Sequence, residues 1–318
     1  MKQVSWTAAG GLAAWAVVRL AGADRFRSLE AAAVPALSFT PHVAAAALAG
    51  SLPLRRKGVA SATALAGVTL AAVVFPRAIK RPQPRARGPV LRVLTANLLA
   101  GRASAETVVG LVRRKDVDVL FLQELTDAAV TQLKQAGLSD LLPHEATDTS
   151  GCGSRGSGIY ARLRLTSGLP LTDISVAQPT ARLELPAGQG VDLVCVHPSP
   201  PAPSPSAVLR SSRRRVARWR AELAVLPPAA DPPRVLAGDF NATVDHAQFR
   251  RLLRLGHADA ACQTGNGLVP TWGPWGRPAI LTIDHVLVDS RCAVLATSVH
   301  PLPGSDHRAV YAEFRLPA

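Results

Sequence analysis

Cysteine is rare in this sequence, and its spacing excludes one common class of small domain. The chain has four cysteines, Cys152, Cys195, Cys262 and Cys292, with no CxxC pair and no Cys/His spacing that suits zinc, so a structural zinc module is excluded. Cys195 lies within an apolar run and is expected to be a buried thiol. Cys262 and Cys292 could form a disulfide if the domain is exported, and the sequence leaves that pairing open.

Acidic residues are scarce at the N-terminal end. Residues 1–87 contain 12 Lys and Arg against two acids, whereas residues 88–318 contain 24 against 20. The formal net charge of +14 therefore lies mostly beside the N-terminal apolar segments, where basic residues can meet anionic lipid headgroups. The near balance of the remainder argues against a nucleic acid-binding groove, which depends on clustered Lys and Arg.

Three apolar segments, separated by basic clusters, occupy about residues 6–23, 31–54 and 58–75. Each is long enough, or nearly so, for a helix of about 20 residues that crosses a bilayer core. A cleaved signal peptide would explain only the first segment, and a soluble alanine-rich helical domain would explain all three without a membrane. We predict three transmembrane helices within residues 1–76, a basic, proline-rich tether at 77–90 and a separate domain at 91–318, which the motifs described below indicate to be catalytic.

Short runs of Val, Ile and Leu alternate with amphipathic segments after the tether. Besides the strand that ends in Gly-Asp-Phe-Asn, we predict strands at 91–98, 117–123, 157–164, 181–186, 191–197, 281–288, 293–299 and 308–315. Helices are predicted at 104–115 (capped by Ser104), 126–137, 206–226 and 245–254. Mixed strands with helices outside them fit two packed sheets covered by helices.

The helix predicted at 206–226 carries six arginines around an apolar stripe, at positions 210, 213, 214, 215, 218 and 220. One interpretation is a solvated basic face on an outer helix. The other is a surface that contacts anionic lipid headgroups or an anionic substrate.

Polar side chains follow six of the apolar runs, in the order Asn97, Gln123-Glu124, His197, Asp239 with Asn241, Asp284, and Ser305-Asp306-His307. Acids and imidazoles at the ends of core strands are costly unless they have partners. Asp239 and Asn241 are two residues apart and point the same way on an extended segment, so together they can hold one water and accept its proton. The carboxylate of Glu124, at the end of a buried strand, is stabilised if it binds a cation, and Asn97 supplies a second, neutral oxygen ligand.

This ordered set resembles the endonuclease/exonuclease/phosphatase superfamily, also called DNase I-like, over roughly residues 90–316. DNase I, abasic-site nucleases, inositol polyphosphate phosphatases and bacterial sphingomyelinases belong to it. The resemblance implies an α/β fold, a four-layer α/β/β/α sandwich, here preceded by the three transmembrane helices. It also implies hydrolysis of a phosphate ester with Mg²⁺ or Mn²⁺ as cofactor.

The resemblance also implies a role for each residue. Asp239 would activate the attacking water, Asn241 would position it, and His197 and His307 would bind the phosphate oxygens or act as general acid and base. Asp284 would fix the tautomer of His307. The metal-binding residues would be Asn97, Glu124 and Asp306. His285 would point to the opposite face from Asp284, outside the site.

Two departures argue against a specialised DNA nuclease. Leu99 stands where abasic-site nucleases have an additional Asp ligand, and residues 156–164 lack the acid that DNase I pairs with its central His. The apolar N-terminal part and the His-Pro-Ser-Pro-Pro loop resemble instead a membrane-bound actinobacterial branch that includes the VanJ glycopeptide (teicoplanin) resistance proteins. That resemblance implies an extracytoplasmic domain. The distribution of basic residues, by the positive-inside rule alone, favours a cytoplasmic one.

The expected substrate is therefore a phosphorylated lipid or cell-envelope precursor presented at the membrane. A membrane-tethered nuclease and a non-catalytic binding or resistance module on the same fold are the alternatives. The sequence leaves the oligomeric state open.

Overall fold

Two six-stranded sheets form the centre of the protein. The computed structural model describes residues 2–52, 57–150, 153–168, 171–172, 174–186, 188–201 and 209–318. The strands are β1 (Val90–Asn97), β2 (Val119–Gln123), β3 (His144–Asp148), β4 (Ser157–Ala161), β5 (Leu165–Ser167), β6 (Thr180–Glu184), β7 (Gly190–Val196), β8 (Arg234–Asp239), β9 (His257–Asp259), β10 (Asp284–Asp289), β11 (Ala293–Pro301) and β12 (Arg308–Arg315). The helices are α1 (Lys2–Ala21), α2 (Glu30–Leu37), α3 (Thr40–Ser51), α4 (Lys57–Val74), α5 (Ala105–Arg114), α6 (Asp127–Gln135), α7 (Leu138–Leu141), α8 (Leu209–Ala224), α9 (Ala247–Arg254) and α10 (Ala260–Thr264).

The strand order is β11-β12-β1-β2-β4-β3 in the first sheet and β5-β6-β7-β8-β10-β9 in the second. β1 and β2 are parallel, with Asn97 opposite Gln123, so both strands end at the same edge. In the second sheet β10 is antiparallel to β8, and Asp284 at its start lies opposite Asp239 at the end of β8. Strand register thus places the polar ends of both sheets at one end of the sandwich.

Three apolar layers hold the sandwich together. Phe121, Leu193 and Phe314 belong to the core between the sheets. The outer face of the first sheet packs against α5 and α6, and that of the second packs against α8 and α9, where Trp219 is fully buried. This is the predicted α/β/β/α arrangement. The predicted cap is also confirmed, because Ser104 Oγ accepts a hydrogen bond from the Thr107 amide at 3.0 Å.

Several element boundaries differ from the prediction. The strand expected at 157–164 ends at Ala161, as β4. The strand expected at 281–288 begins at Asp284, because residues before it form a bridge between Leu281 and Trp272. The short β3, β5 and β9 were not predicted. Cys262 and Cys292 are free, buried thiols. Cys152, residues 53–54 of the second apolar segment and the beginning of the 206–226 helix lie outside the described residues.

The N-terminal helices differ from three straight transmembrane spans. By length and composition, Gly58–Ala78 is the one described helical segment that could cross a membrane, with a mean hydropathy of 1.9. α2 and α3 are apolar enough only as a pair, and they are bent by 71° at the break between them. The described helices therefore supply one candidate span, or two if the bent pair counts as one, where three were expected.

A buried ion network joins these helices to the catalytic domain. Asp245, between β8 and α9, accepts hydrogen bonds from Arg77 at 2.6 and 2.7 Å and from Arg19 at 2.5 Å. Burial alone would raise the pKa of Asp245, but Arg77 and Arg19 outweigh it and lower that pKa. Since Arg19 lies in the last turn of α1 and Arg77 follows α4, these two helix ends lie together beside the catalytic domain.

The segment predicted as a tether, 77–90, also lies against the catalytic domain. The Arg81 amide donates to the Gln263 carbonyl at 3.0 Å, and the Val294 amide donates to Gln83 Oε1 at 2.8 Å. The Gly88 amide donates to the Leu316 carbonyl at 2.9 Å. These bonds hold the segment along the domain surface and limit how far the domain can move from the apolar helices.

Asp245→Asn tests the ion network. The substitution leaves Arg19 and Arg77 buried without a counter-charge, so the free energy of unfolding should fall by about 3–5 kcal/mol. Glu184→Gln is the control: Glu184 pairs with Arg164 at 3.8 Å on the exposed surface, and its loss should cost less than about 1 kcal/mol. Denaturant unfolding of the full-length protein in detergent measures both. Equal effects of the two substitutions would contradict the structural importance of the network.

Candidate active site

Asn97 joins the two sheets at the end of the sandwich. Its Nδ2 donates to Glu124 Oε1 at 3.3 Å in its own sheet and to Asp239 Oδ2 at 3.1 Å in the other. Its Oδ1 accepts the Leu99 amide hydrogen at 2.9 Å, and its main-chain carbonyl accepts a hydrogen bond from Ser305 Oγ at 2.8 Å. The residue predicted as a metal ligand therefore also positions two carboxylates.

Asp239 and Asn241 lie side by side, as their spacing predicts. The Asn241 amide donates to Asp239 Oδ1 at 2.8 Å, and Asn241 Nδ2 donates to the Pro198 carbonyl at 3.0 Å, which ties this turn to the loop after β7. Gly238 permits the close approach of these strands, because a Cβ there would lie 1.9 Å from the Val196 carbonyl oxygen. The Asp239 carboxylate is buried at the point where the two sheets meet.

Asp284 orients His307. The His307 Nδ1 lies 3.0 Å from both carboxylate oxygens of Asp284, so Nδ1 carries a hydrogen and Nε2 is directed toward Asp239 Oδ2, 3.7 Å away. Thr271 Oγ1 donates to the same carboxylate at 2.6 Å. Burial alone would lower the pKa of His307, but Asp284 and Asp239 outweigh it and raise that pKa to about 10. The His307 ring is therefore an imidazolium at neutral pH.

His197, unlike His307, has a lowered pKa that favours the neutral ring. It follows β7, and its amide donates to Gln178 Oε1 at 3.1 Å, while its Nδ1 has no hydrogen-bond partner among the described residues. Burial, aided by the charge of His307, lowers the pKa of His197 to about 3. One site thus holds a neutral imidazole and an imidazolium, a separation typical of acid–base machinery.

Glu124 and Asp306 lie on the first sheet's side of the site. Glu124 has a left-handed backbone (φ 54°) that presents its carboxylate to the Ala100 amide at 2.8 Å, and burial raises its pKa. Asp306 Oδ2 accepts a hydrogen bond from Trp272 Nε1 at 3.0 Å, whereas its buried Oδ1 has no hydrogen-bond partner among the described residues. The strained acid Glu124, together with a carboxylate oxygen of Asp306 that accepts no hydrogen bond from any described residue and has the His307 Nε2 4.0 Å away, fits a divalent cation.

A second set of donor atoms could also hold a cation. One atom each of Asp239, Asp284 and His307 lie within 4.8 Å of one another. Asp284 and His307 are already bonded to each other through Nδ1, whereas Asp306 Oδ1 has no hydrogen-bond partner among the described residues. Glu124 and Asp306 therefore fit a metal better, and His307 Nε2 lies 3.7 Å from Asp239 Oδ2 and 4.0 Å from Asp306 Oδ1.

These residues surround a cavity of about 750 Å³, open to solvent. Three arginines of α8, Arg214, Arg215 and Arg218, line one of its walls. They are exposed, and no described acidic residue pairs with them, whereas Arg220 of the same helix pairs with Glu30. The basic face predicted for this helix therefore borders the candidate active site.

Sequence reasoning missed four residues that support the site, Gln178, Glu222, Thr271 and Trp272. The last two lie in an irregular segment with no periodic pattern to reveal them. Glu222 accepts hydrogen bonds from the amides of Ser199 at 2.6 Å and Ser175 at 3.0 Å, so it holds the loop after His197. An acid within the apolar stripe of α8 was the available signal. His285 points away, as expected, to Asp259 at 2.7 Å.

Comparison with known proteins agrees with this geometry. A family model described as the endonuclease/exonuclease/phosphatase family matches residues 94–307. The chain belongs to this family. No curated protein matches the chain in sequence.

Three solved structures are similar to the chain. An endonuclease/exonuclease/phosphatase from Beutenbergia cavernae is 22% identical (TM-score 0.56), covering 73% of this chain and 72% of that one. The 3′ phosphatase NExo from Neisseria is 21% identical with a TM-score of 0.50, and the match covers 70% of this chain and 99% of that one. TDP2 from C. elegans is 17% identical with a TM-score of 0.50, and the match covers 73% of this chain and 76% of that one. At these identities the likeness establishes the fold alone.

Asp284→Asn tests the charge state of His307. Asp284 raises the pKa of His307, so its loss lowers that pKa. Activity that requires the imidazolium disappears as pH rises through the pKa, and in the variant this alkaline limb should move about 1–3 pH units toward acid. Profiles of kcat/KM against pH measure the shift. Asp118→Asn, at the opposite end of β2 from Glu124, is the control, and an unshifted limb in Asp284→Asn would contradict the assignment.

Proposed function

We propose that this family member is a membrane-anchored, metal-dependent phosphoesterase that hydrolyses a phosphate or pyrophosphate ester at the cell envelope. The observation that carries the proposal is the arrangement around Asp239: a buried carboxylate, an adjacent amide, a neutral and a charged imidazole, and an unsatisfied acid all face one cavity. Phosphate ester hydrolysis needs these groups together, since water must be activated while negative charge on phosphorus is neutralised.

In this mechanism Asp239 and Asn241 hold the attacking water opposite the leaving group. The water oxygen forms a bond to phosphorus as the ester P–O bond breaks, and Asp239 takes the water proton. The leaving oxygen keeps the electron pair of the broken bond and takes a proton from solvent, and Asp239 returns its proton to solvent. His307 bears the positive charge that stabilises the phosphoryl oxygens, and neutral His197 donates a hydrogen bond to them. Asp284 keeps His307 in the tautomer and orientation that these contacts require.

The donor set supports Mg²⁺ or Mn²⁺. Glu124 and Asp306 would hold the ion, and Asn97 Oδ1, which accepts only the Leu99 amide hydrogen among the described residues, would use its second lone pair. The bound ion would supply charge neutralisation on the phosphoryl group. Carboxylate and amide oxygens, without sulfur or several imidazoles, are typical of these hard cations.

Three features support an anchored protein with an envelope substrate. The Gly58–Ala78 helix is long and apolar enough to cross a bilayer, the ion network of Asp245 fixes the catalytic domain to that helix, and the basic wall of the cavity favours an anionic ligand. The resemblance to VanJ-type proteins extends the proposal to glycopeptide resistance through turnover of a lipid-linked cell-wall intermediate. The nuclease alternative has less support, since positive charge on the domain is nearly balanced outside this cavity.

Glu124→Ala and Asp239→Ala should each lower phosphate release by about 10²–10⁴-fold while the protein remains folded, and EDTA should abolish activity until Mg²⁺ or Mn²⁺ is added back. The assay uses full-length protein with lipid pyrophosphates, phosphodiesters and plasmid DNA as substrates. Glu145→Ala, a change in an exposed ion pair with Lys134, is the control. Activity that survives EDTA would refute the metal assignment, and cleavage of DNA alone would favour the nuclease.

The catalytic domain is predicted to face the outside of the cell. External protease should then digest residues 88–318 in intact cells and leave a cytoplasmic marker protein uncut. Protection of the domain in intact cells, with digestion after lysis, would overturn this orientation.

A further inference from the structure

The N-terminal helices contribute a wall to the active-site cavity. Pro35, Ser38 and Phe39 line the same cavity as His197 and His307. They surround the 71° bend between α2 and α3. Pro41, in the first turn of α3, has no amide hydrogen to donate to the Leu37 carbonyl, which accepts a hydrogen bond from Thr40 Oγ1 at 2.7 Å instead, and this favours a break here. We call residues 35–39 the elbow.

The elbow is bound to the catalytic domain. His246 Nδ1 accepts the Thr243 amide hydrogen at 2.9 Å, so its Nε2 carries a hydrogen and donates to the Val34 carbonyl at 2.8 Å. The Val34 side chain is buried in the apolar cluster that contains Trp219. The position of the elbow over the cavity is therefore set by hydrogen bonding and packing on its N-terminal side.

The elbow also marks the passage from the catalytic domain to the apolar helices. α2 packs on α8 of the catalytic domain through Val34 and through the ion pair of Glu30 with Arg220. α3, which begins one residue after Phe39, packs instead on the candidate span α4. Its 12 residues extend about 18 Å, less than the roughly 30 Å of a bilayer core. Phe39, 40% exposed, therefore lies where an apolar surface meets the cavity.

The cavity consequently has walls of different character. Aromatic and apolar atoms of the elbow form one wall. Arg214, Arg215 and Arg218, which have no acidic partner among the described residues, form another, and the candidate catalytic residues form the floor. A small soluble phosphate would contact only the arginine wall and the floor. An amphiphile, with an anionic end and a hydrocarbon chain, would contact all three.

We propose that the elbow is the binding site for the hydrocarbon chain of a lipid-linked phosphate or pyrophosphate. The chain lies against Phe39 and Pro35 as it leaves the bilayer along α3, while the arginines bind the anionic group next to the one that is hydrolysed. This assignment rests on the proposed phosphoesterase function and adds to it the means of selecting a membrane substrate.

The test compares two pyrophosphate esters, one of a long prenyl alcohol and one of a short, water-soluble alcohol, with full-length protein in detergent. Phe39→Ala should lower the ratio of kcat/KM for the long ester to that for the short one about tenfold, because a buried contact of the ring with the chain is lost. Phe39→Leu, which keeps an apolar side chain, should restore most of the ratio. Phe75→Ala is the matched control, since Phe75 is 63% exposed at the end of α4 and is not a lining residue of the cavity.

An unchanged ratio in Phe39→Ala would overturn the elbow assignment, as would an equal loss with both esters, which would indicate a structural role for Phe39. A lowered ratio in Phe75→Ala as well would also overturn it, because the effect would then belong to the apolar surface in general. Failure of the unaltered protein to hydrolyse either ester would instead refute the proposed function, and the elbow assignment with it.

Discussion

Buried carboxylates must be matched by positive charge or by hydrogen-bond donors, and this requirement governs both important regions of the protein. In the active site Asp239 and Asp284 lie opposite each other on neighbouring strands. The imidazolium of His307 lies between the two carboxylates and offsets the repulsion of their negative charges. At the helical attachment Asp245 is compensated by Arg19 and Arg77. Loss of Asp245 would leave two buried guanidinium groups without a counter-charge, whereas loss of Asp239 would leave His307 still paired with Asp284.

The two regions are linked through a short stretch of chain. Residues 239–246 run from the end of β8, through Asp239 and Asn241, to Asp245 and His246, which contact the N-terminal helices. Asp239, proposed to activate the water, and Asp245, which holds those helices, are thus only six positions apart. Because the elbow is fixed by His246 on this stretch, a wall of the cavity is positioned by the same segment that supplies the catalytic floor.

Much of the candidate site was predictable because strand ends are visible in the sequence. Runs such as VLFLQ and RVLAGD are buried strands by composition, so a polar residue directly after them must lie at a sheet edge. The structure brings all eight predicted residues together. Thr271 and Trp272 were not predictable, since they lie in irregular backbone and act through bonds to Asp284 and Asp306. The unpredicted β3, β5 and β9 are short, and pairing with a neighbour decides them more than their own composition does.

The sequence by itself determined the layered α/β fold, the set of acids, amides and imidazoles at the strand ends, and the separation of an apolar N-terminal part from the catalytic domain. These follow from local periodicity and from the free-energy cost of burying polar groups. Only the tertiary structure decided which imidazole is charged, because that depends on the carboxylates around each ring. It also decided that residues far apart in the chain, from the α2–α3 elbow and from α8, form the walls of the cavity, since contacts between distant segments leave no periodic signal in the chain.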